Sequence, residues 1–325
     1  MYGHPAASAA AQTKLKKTLT ADGHFRTTDA GDCVYVNQST DEDHYGVLGA
    51  WVDDLLGATT PKGIDQMIDS LSKVFKIKVT KNPTMVLGVQ IERSREHSWL
   101  KIHQAAYVEG ILRKHGMEDC RTVSTPMDPA TVRALMELPT EPVDLEARRK
   151  FQALVEELIW LHKTRPDMYF TVNLLSRFLK CATAAHLKIA LGRPLRYLKG
   201  TMDFGIVFFP GNNFDHTCAS DADLAGDLKT SQSTSGTFAR LGNFGAVYCN
   251  SHLEKKNSTS TNQSETYACT TLAKEVVWER VLLGNIKKPL SKPSSVYTDN
   301  DGVVEQNTKS VNHSSAKHYR FLKLI

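Results

Sequence analysis

The spacing of apolar residues changes along this chain, and these changes limit its fold more than any other feature. Residues 45–56 mix β-forming residues with glycines, whereas residues 64–75 carry apolar residues at helical spacing. Two further β-like runs, 86–91 and 99–102, flank a polar segment that favours a hairpin, and a helix is predicted over residues 104–114. A strand, a helix, a hairpin and a helix in succession indicate an α+β arrangement.

Two prolines, Pro126 and Pro129, mark the first predicted boundary, because the residue before a proline favours extended backbone. The region that follows, residues 130–210, has apolar residues at helical spacing and is predicted to be helical. Its last candidate helix, residues 184–198, contains Pro194. We expect this proline to break or kink the helix, since it has no backbone N–H to donate.

The last region returns to short β-like runs around one longer helical segment. Strands are predicted near residues 204–209, 217–220, 236–248 and 295–298, and a helix over residues 264–283. The chain is therefore divided into three predicted domains, residues 1–129, 130–210 and 211–325, and its predicted fold class is α+β or α/β.

Composition excludes several classes of protein. With 41% hydrophobic and 23% charged residues, a chain of 325 residues can bury two or three cores, which is typical of a globular protein and not of a disordered or fibrous one. Its six cysteines are scattered without zinc-type spacing, which favours a reduced, intracellular protein. No signal peptide and no apolar run of about 18 residues is present, so no membrane partner is predicted.

Positive charge is concentrated in one segment. The net charge of +5 is small, but residues 168–202 contain no Asp or Glu. The basic residues that we single out there are Arg177, Lys188, Arg193, Arg196 and Lys199. Such a segment could bind phosphates along a nucleic acid, or it could form the solvated faces of helices, and charge alone does not distinguish these readings.

Two adjacent carboxylates, Asp53 and Asp54, interrupt an otherwise apolar β-like run. Adjacent carboxylates are costly to bury unless a positive charge neutralises them, so at a hairpin turn they could bind Mg²⁺ through oxygen ligands. As an isolated dipeptide, however, Asp-Asp is usually only part of a turn.

The surroundings of this pair favour the metal site. Residues 51–58, W-V-D-D-L-L-G-A, resemble the Y-V-D-D-L-L core of copia-type reverse transcriptases. Residues 87–92 resemble that family's F-L-G-I-E-I, and residues 116–127 resemble its G-M-E-D-C-x-x-V-S-T-P-M. The resemblance implies part of a reverse-transcriptase palm followed by a thumb-like region, and it implies RNA-directed DNA synthesis on a template-primer as the ancestral activity.

Further motifs follow in the order found in copia-type Pol polyproteins. Residues 164–167 (T-R-P-D), 175–178 (L-S-R-F) and 195–200 (L-R-Y-L-K-G) resemble the family's connection, and residues 220–227 (S-D-A-D-L-A-G-D) resemble its S-D-A-D-W-A-G-D. The resemblance spans essentially the whole chain. It implies a helical connection and then a ribonuclease H-like mixed sheet with helices, acting on RNA/DNA hybrids.

Three carboxylates match the positions that a ribonuclease H centre requires. The resemblance places Asp221 on the first strand of that domain, Glu265 at the start of its first helix and Asp299 at the end of its fourth strand. Together they would hold Mg²⁺ or Mn²⁺ ions, which activate water and stabilise the leaving oxygen. Taken singly, each is typical of a structural residue: a loop acid, a helix-terminal acid and a turn acid.

The chain also departs from the family pattern. The polymerase site of the family uses a further Asp from an earlier strand, for which this sequence has no counterpart, so Asp53 and Asp54 are expected to lack a third ligand. The family's final motif R-T-K-H-I-D supplies a fourth nuclease carboxylate, whereas residues 315–320 here read S-A-K-H-Y-R, with Arg320 at that position.

These departures predict a truncated and degenerate Pol fragment in which polymerase activity is not expected and ribonuclease H activity is weakened. Two alternatives stay open: a non-enzymatic nucleic-acid-binding remnant, and a reading frame without a stable product. By resemblance, the expected compartment is the cytoplasm, the nucleus or both.

Overall fold

A computed structural model describes residues 7–21, 23–52, 54–141, 144–211 and 214–308. The helices are α1 (Ala7–Ala21), α2 (Pro61–Ser72), α3 (Ala105–Lys114), α4 (Pro129–Glu137), α5 (Leu145–Ile159), α6 (Tyr169–Ser176), α7 (Ala184–Gly200), α8 (Thr261–Asn285) and α9 (Asp301–Thr308). The strands are β1 (Phe25–Thr28), β2 (Gly31–Asn37), β3 (Gly46–Trp51), β4 (Asp54–Thr59), β5 (Met85–Val86), β6 (Val89–Arg93), β7 (Leu100–His103), β8 (Gly205–Phe208), β9 (His216–Asp223), β10 (Thr234–Leu241), β11 (Ala246–Leu253) and β12 (Ser295–Tyr297). The chain is mixed α/β with several antiparallel pairs, as its sequence predicts.

These elements form two compact units. The first consists of Met1–Leu87 with Glu275–Ser291, and the second of Gly88–Lys274 with Lys292–Ile325. The three domains predicted from motifs follow different boundaries, and their functional assignment stays a prediction. Within the described residues, no helix is both long and apolar enough to cross a lipid bilayer.

The first unit is built on an antiparallel sheet in the order β1-β2-β3-β4. Its core is formed by apolar residues of α1, α2 and the sheet: Leu15, Leu19, Phe25, Tyr35, Leu48, Met67 and Leu71. Helix α2 starts three residues before the predicted position because Thr60 caps it and Pro61 occupies its first turn, where a missing N–H costs nothing.

A distant segment completes this unit. The side-chain oxygen of Asn285, the last residue of α8, accepts hydrogen bonds from Arg26 Nη1 at 3.0 Å and from the backbone N–H of Asp29 at 3.2 Å. Tyr45 donates its hydroxyl to the carbonyl of Ile286 at 3.0 Å. The region around residues 285–286 is therefore attached to the sheet by specific polar contacts.

In the second unit, helices α3 to α7 surround one apolar core. Its fully buried centre includes Phe151, Leu154 and Leu158 of α5, with Leu175 of α6 and Leu198 of α7. These positions confirm the helical prediction for much of residues 130–210. At about 25 cal/mol per Å² of apolar surface, side chains of this size contribute roughly 1.5–3 kcal/mol each when fully buried.

A buried guanidinium, that of Arg165, joins three parts of this helical core. It makes a two-pronged ion pair with Asp167, whose nearest oxygen lies 2.6 Å from Nη2. It also donates to the carbonyl and hydroxyl oxygens of Thr201, just after α7, at 3.0 and 2.7 Å. Tyr197 donates its hydroxyl to Asp167 at 2.7 Å. The predicted family motifs around residues 165 and 197 thus lie in contact.

Helix α7 continues through Pro194 over 17 residues. We expected this proline to break or kink the helix, and the expected break is absent. Pro194 is itself buried, and Ala190, Leu195 and Leu198 of the same helix lie in the apolar core. Packing of this face therefore outweighs the roughly 3 kcal/mol that an interior proline costs a helix.

The second unit also contains two sheets. Strand β8 pairs antiparallel with β7, which in turn pairs with β6. This close pairing requires Gly205, because a Cβ there would lie 2.2 Å from the carbonyl oxygen of Ile102. The other sheet has the order β11-β10-β9-β12, in which β12 alone runs parallel to its neighbour.

The β-like stretch predicted through residues 236–248 lies in two strands, β10 and β11, which are joined by a turn in which Gly242 has a φ of +52°. Glycine adopts this left-handed conformation without steric cost. The turn reverses the chain, so β11 forms the outer edge of the sheet.

The Arg165 ion pair generates a stability prediction. We expect Asp167→Asn to lower the free energy of unfolding by about 3 kcal/mol, because it leaves the buried guanidinium without a charged partner. Chemical denaturation measures this loss. The control, Asp203→Asn, changes an exposed carboxylate and should shift stability by less than about 0.5 kcal/mol. Equal effects of the two substitutions would contradict the structural role of the pair.

Candidate metal centre

Three carboxylates from distant parts of the sequence meet at one end of the β11-β10-β9-β12 sheet. Asp221, Glu265 and Asp299 each offer one oxygen, and these oxygens all lie within 4.8 Å of one another. Among the described residues, this is the only group of three or more acidic, His or Cys side chains with such spacing. The structure thus brings together the three residues that the sequence analysis singled out as a set.

The sheet register explains why Asp221 and Asp299 are neighbours. Strand β12 runs parallel to β9 with Val296 beside Cys218 and Tyr297 beside Ala219. Asp299 and Asp221 each lie two residues beyond the pair formed by Tyr297 and Ala219. Because side chains of a strand alternate between faces, this two-residue step leads both carboxylates to the same side.

Helix α8 supplies the third carboxylate. Ser260 caps its start by accepting the N–H of Gln263 at 3.2 Å, and Glu265 lies in the second turn. Glu265 Oε1 accepts the backbone N–H of Ala222 at 3.3 Å, which holds the side chain against β9 next to Asp221. Sequence and backbone geometry together therefore aim this glutamate at the two aspartates.

Helix α9 starts close to α8. The side-chain oxygen of Asn300 accepts the N–H of Val303 at 3.1 Å and a hydrogen bond from Asn262 at 3.3 Å. Gly302 permits this approach, since a Cβ there would lie 2.3 Å from the Asn262 amide nitrogen. These contacts fix the turn that carries Asp299 relative to the helix that carries Glu265.

The electrostatics of the cluster are unfavourable without a cation. Glu265 is only 3% exposed, whereas Asp221 and Asp299 are exposed. Burial, followed by the charges of Asp221 and Asp299, raises the pKa of Glu265 to about 7. Its Oε2 atom is buried and has no hydrogen-bond partner among the described residues.

This donor set fits a divalent cation of the Mg²⁺ or Mn²⁺ type. It offers carboxylate oxygens without any sulfur or imidazole, which is the ligand chemistry these ions prefer. A cation would also neutralise the three acids and give the unpartnered Glu265 oxygen a ligand bond. The residues present therefore fit such an ion.

The structure describes only one residue of the predicted polymerase pair, Asp53 and Asp54. Asp54 begins β4 and is exposed, and Asp53 lies outside the described residues. Asp54 belongs to no group of three potential metal ligands in the described part of the chain. Within the described part of the chain, Asp54 therefore has no partners for a metal site.

The five predicted phosphate-binding residues lie in different surroundings. Arg177 forms an ion pair with Asp227 at 3.0 Å, and its side chain is only 11% exposed. Arg193 pairs with Asp128 at 2.8 Å, and Arg196 donates to the carbonyl of Arg121 at 2.6 Å. Lys188 is exposed and Lys199 is half-buried. Arg177 therefore makes an internal ion pair, and the phosphate-binding role of all five residues stays a prediction.

Sequence reasoning missed one buried acid near the cluster. Glu254, just after β11, accepts hydrogen bonds from Ser235 at 2.8 Å and from Ser258 at 2.9 Å. Its charge also contributes to the raised pKa of Glu265. It ties β10 to the loop that precedes α8, and no motif of the sequence analysis included it.

Comparisons with known proteins agree with the motif order. Residues 1–129 match the family described as reverse transcriptase (RNA-dependent DNA polymerase). The chain is 32% identical to the retrovirus-related Pol polyprotein from transposon RE1 of Arabidopsis thaliana over 84% of its own length and 18% of that protein. It is 30% identical to the corresponding polyprotein from transposon TNT 1-94 of Nicotiana tabacum over 90% of its length and 22% of that protein.

A shorter relative is matched over most of its length. An uncharacterized mitochondrial protein of Arabidopsis thaliana is 30% identical over 70% of this chain and 92% of that protein. The chain spans about a fifth of the length of the two Pol polyproteins. It belongs to the copia-type retrotransposon Pol family, and its first 129 residues belong to the reverse transcriptase family.

Proposed function

We propose that this chain contains a ribonuclease H-like nuclease that cleaves the RNA of RNA/DNA hybrids with Mg²⁺ or Mn²⁺ held by Asp221, Glu265 and Asp299. The observation that carries the proposal is the convergence of these three carboxylates within 4.8 Å, with a buried glutamate oxygen that lacks a partner. The reverse transcriptase family generally uses divalent metal ions, and its members act on nucleic-acid templates.

Each residue has a distinct part in this proposal. Asp221 and Asp299 are exposed, so they face the side from which a phosphodiester can approach. The buried Glu265 accepts the backbone N–H of Ala222 with one carboxylate oxygen, and its other, unpartnered oxygen would bind the cation. When bound there, the divalent ions would activate water and stabilise the leaving oxygen. Because the pKa of Glu265 is about 7 without a cation, proton release from Glu265 accompanies metal binding.

Arg320 supports a second candidate function. By resemblance this position belongs to the fourth metal ligand of the family, and an arginine repels cations. Residues 315–320 lie outside the described residues. A degenerate centre of this kind would leave a protein that binds RNA/DNA hybrids or template-primers without cleaving them. Exposed basic residues such as Lys188 would then supply phosphate contacts.

Polymerase activity is not part of this proposal. Asp53 and Asp54 would require a further carboxylate to hold two ions in geometry, and Asp54 has no such partner among the described residues. The pair is proposed as the remnant of the family's polymerase site.

The first prediction concerns stability without nucleic acid. The pKa of Glu265 is raised from 4.5 to about 7, so the folded state binds this proton more tightly and its stabilising contribution is lost as pH rises through that window. In chelator at pH 8, Glu265→Gln should therefore be more stable than the natural protein by about 1 to 3 kcal/mol, at 1.4 kcal/mol per pKa unit.

Thermal melting at pH 5 and pH 8 measures this effect, with Glu96→Gln as the exposed control. Excess Mg²⁺ or Mn²⁺ should raise the Tm of the natural protein at pH 8 and leave that of Glu265→Gln nearly unchanged. If neither the ions nor Glu265→Gln changed the Tm at pH 8, the proposed metal centre would be contradicted.

The second prediction concerns cleavage. Purified protein should cut the RNA strand of a labelled hybrid in Mg²⁺ or Mn²⁺, and Asp221→Asn should reduce the rate by at least about 100-fold because it removes a metal ligand. The control Asp203→Asn should retain the rate. No cleavage in either ion would refute the nuclease proposal, and salt-sensitive hybrid binding under those conditions would support the non-enzymatic candidate.

The third prediction tests degeneration. If Arg320 weakens the centre, Arg320→Asp should increase hybrid cleavage in Mg²⁺ by at least about tenfold, because it restores a carboxylate ligand. Lys317→Asp adds the same charge change nearby and serves as the control. An increase shared by both variants would attribute the effect to general charge, and a lower rate in Arg320→Asp would exclude this account of degeneration.

A further inference from the structure

A fourth buried carboxylate, that of Glu254, lies near the metal centre without belonging to its ligands. Glu254 directly follows β11 and is only 5% exposed, although glutamates are rarely buried so fully unless they are paired. Two hydroxyl groups bind its carboxylate, and within the described residues no Lys or Arg side chain does so. Its negative charge is therefore kept inside the unit without a basic partner.

The contacts of Glu254 hold it as a hydrogen-bond acceptor. Ser235 in β10 donates its hydroxyl to Oε1 at 2.8 Å, and Ser258 donates to Oε2 at 2.9 Å. The backbone N–H of Glu254 donates to the carbonyl of Ser233 at 2.8 Å. A carboxylate whose two oxygens both accept is in the arrangement that suits its ionised form. These bonds also prevent the side chain from turning towards water.

The sheet register places this carboxylate close to Glu265. Ser235, which binds Glu254, lies directly opposite Ala222 in the antiparallel pairing of β10 with β9. The backbone N–H of Ala222 donates to Glu265 Oε1 at 3.3 Å. Because directly opposed residues place their Cβ atoms about 5 Å apart, the carboxylates of Glu254 and Glu265 are separated by a distance on the order of 10 Å.

The two glutamates also affect each other electrostatically. After burial, the charges of Asp221, Asp299 and Glu254 raise the pKa of Glu265 to about 7. A charge that disfavours a further negative charge at this position must favour a positive one there. The unpartnered Oε2 atom of Glu265 is the atom at which a cation would meet this field.

We propose that Glu254 is a positioning residue of the metal centre, whose buried negative charge strengthens the binding of Mg²⁺ or Mn²⁺ at Asp221, Glu265 and Asp299 without touching the ion. This inference rests on the metal centre proposed above. It assigns to Glu254 a part in ion affinity, beyond the structural contact between β10 and the loop before α8.

Coulomb's law gives the expected size of the effect. A unit charge about 10 Å from a divalent ion raises the affinity about fourfold at an effective dielectric constant of about 80, and about fifteenfold at about 40. Lys255 and Lys256 follow Glu254 directly but are exposed, so water and salt screen their charges more effectively than that of a buried carboxylate. We therefore expect the charge of Glu254 to dominate over theirs.

The experiment measures Mn²⁺ binding to the full chain at pH 8 from the electron paramagnetic resonance signal of the free ion. Glu254→Gln should raise the Kd for Mn²⁺ by at least about fourfold. The glutamine can still accept from Ser235 and can donate to the Ser258 hydroxyl, so only the charge is lost. Thermal melting in chelator should show that this variant is no less stable than the natural protein.

Two control variants separate charge from structure. Glu96→Gln removes an exposed charge of the same unit and should leave the Kd unchanged. Ser258→Ala keeps the charge of Glu254 but removes one hydrogen bond, so it should lower the Tm in chelator and change the Kd by less than about twofold. A Kd raised equally by Ser258→Ala and Glu254→Gln would overturn the role of the charge.

Asp221→Asn distinguishes this inference from the proposed function. If Asp221→Asn abolishes Mn²⁺ binding but Glu254→Gln binds the ion as tightly as the natural protein, the inference about Glu254 is overturned and the metal centre stands. If the natural protein binds no Mn²⁺ at millimolar concentration, both are overturned.

Discussion

The buried ion pair of Arg165 and Asp167 organises the unit that carries the three carboxylates. Desolvation of Asp167 alone would raise its pKa, but the hydrogen bonds and charge of Arg165 and the hydroxyl of Tyr197 hold it below its usual value. The guanidinium has partners at Asp167 and Thr201, which is the condition under which a buried charge is tolerated. The link between residues 165–167 and the end of α7 therefore depends on the Arg165 guanidinium and on the Tyr197 hydroxyl.

From this junction, contacts lead to the sheet. Helix α6 follows Asp167 directly and packs on β11, and the thiol of Cys249 in β11 lies 3.9 Å from the carbonyl oxygen of Pro166. At the other end of α6, Arg177 pairs with Asp227 in the loop after β9. Hydrogen bonds from Thr230 hold the pKa of Asp227 low despite its burial, so the aspartate stays ionised for this pair. The strand that carries Asp221 is thus supported from the helical core.

The sequence predicted the positions of helices and strands better than it predicted which strands and side chains contact one another. The apolar spacing of α2 and α5 is a short-range signal and was sufficient to locate both helices, although the start of α2 at Thr60 and Pro61 was missed by three residues. The break expected at Pro194 is absent because the free-energy cost of an interior proline is local, whereas the packing that compensates it is tertiary. The ion pair of Arg177 was equally invisible in the local sequence, because this basic residue of an acid-free segment pairs with an acid 50 residues away. Strand β8 was located correctly, but its pairing with β7 depends on Gly205, whose purpose is visible only in three dimensions.

The candidate site shows the same division between local and distant information. Asp53 and Asp54 are conspicuous because they are adjacent in sequence, yet Asp54 belongs to no group of three potential metal ligands among the described residues. Asp221 and Asp299 are 78 residues apart, and parallel pairing of β9 with β12 makes them neighbours on one side of the sheet. The order of the family motifs identified Asp221 and Asp299 as candidates. Neither their residue type nor their spacing along the chain could show that their carboxylates lie close together. The raised pKa of Glu265 also has tertiary causes, first its burial and then the nearby carboxylates of Asp221 and Asp299.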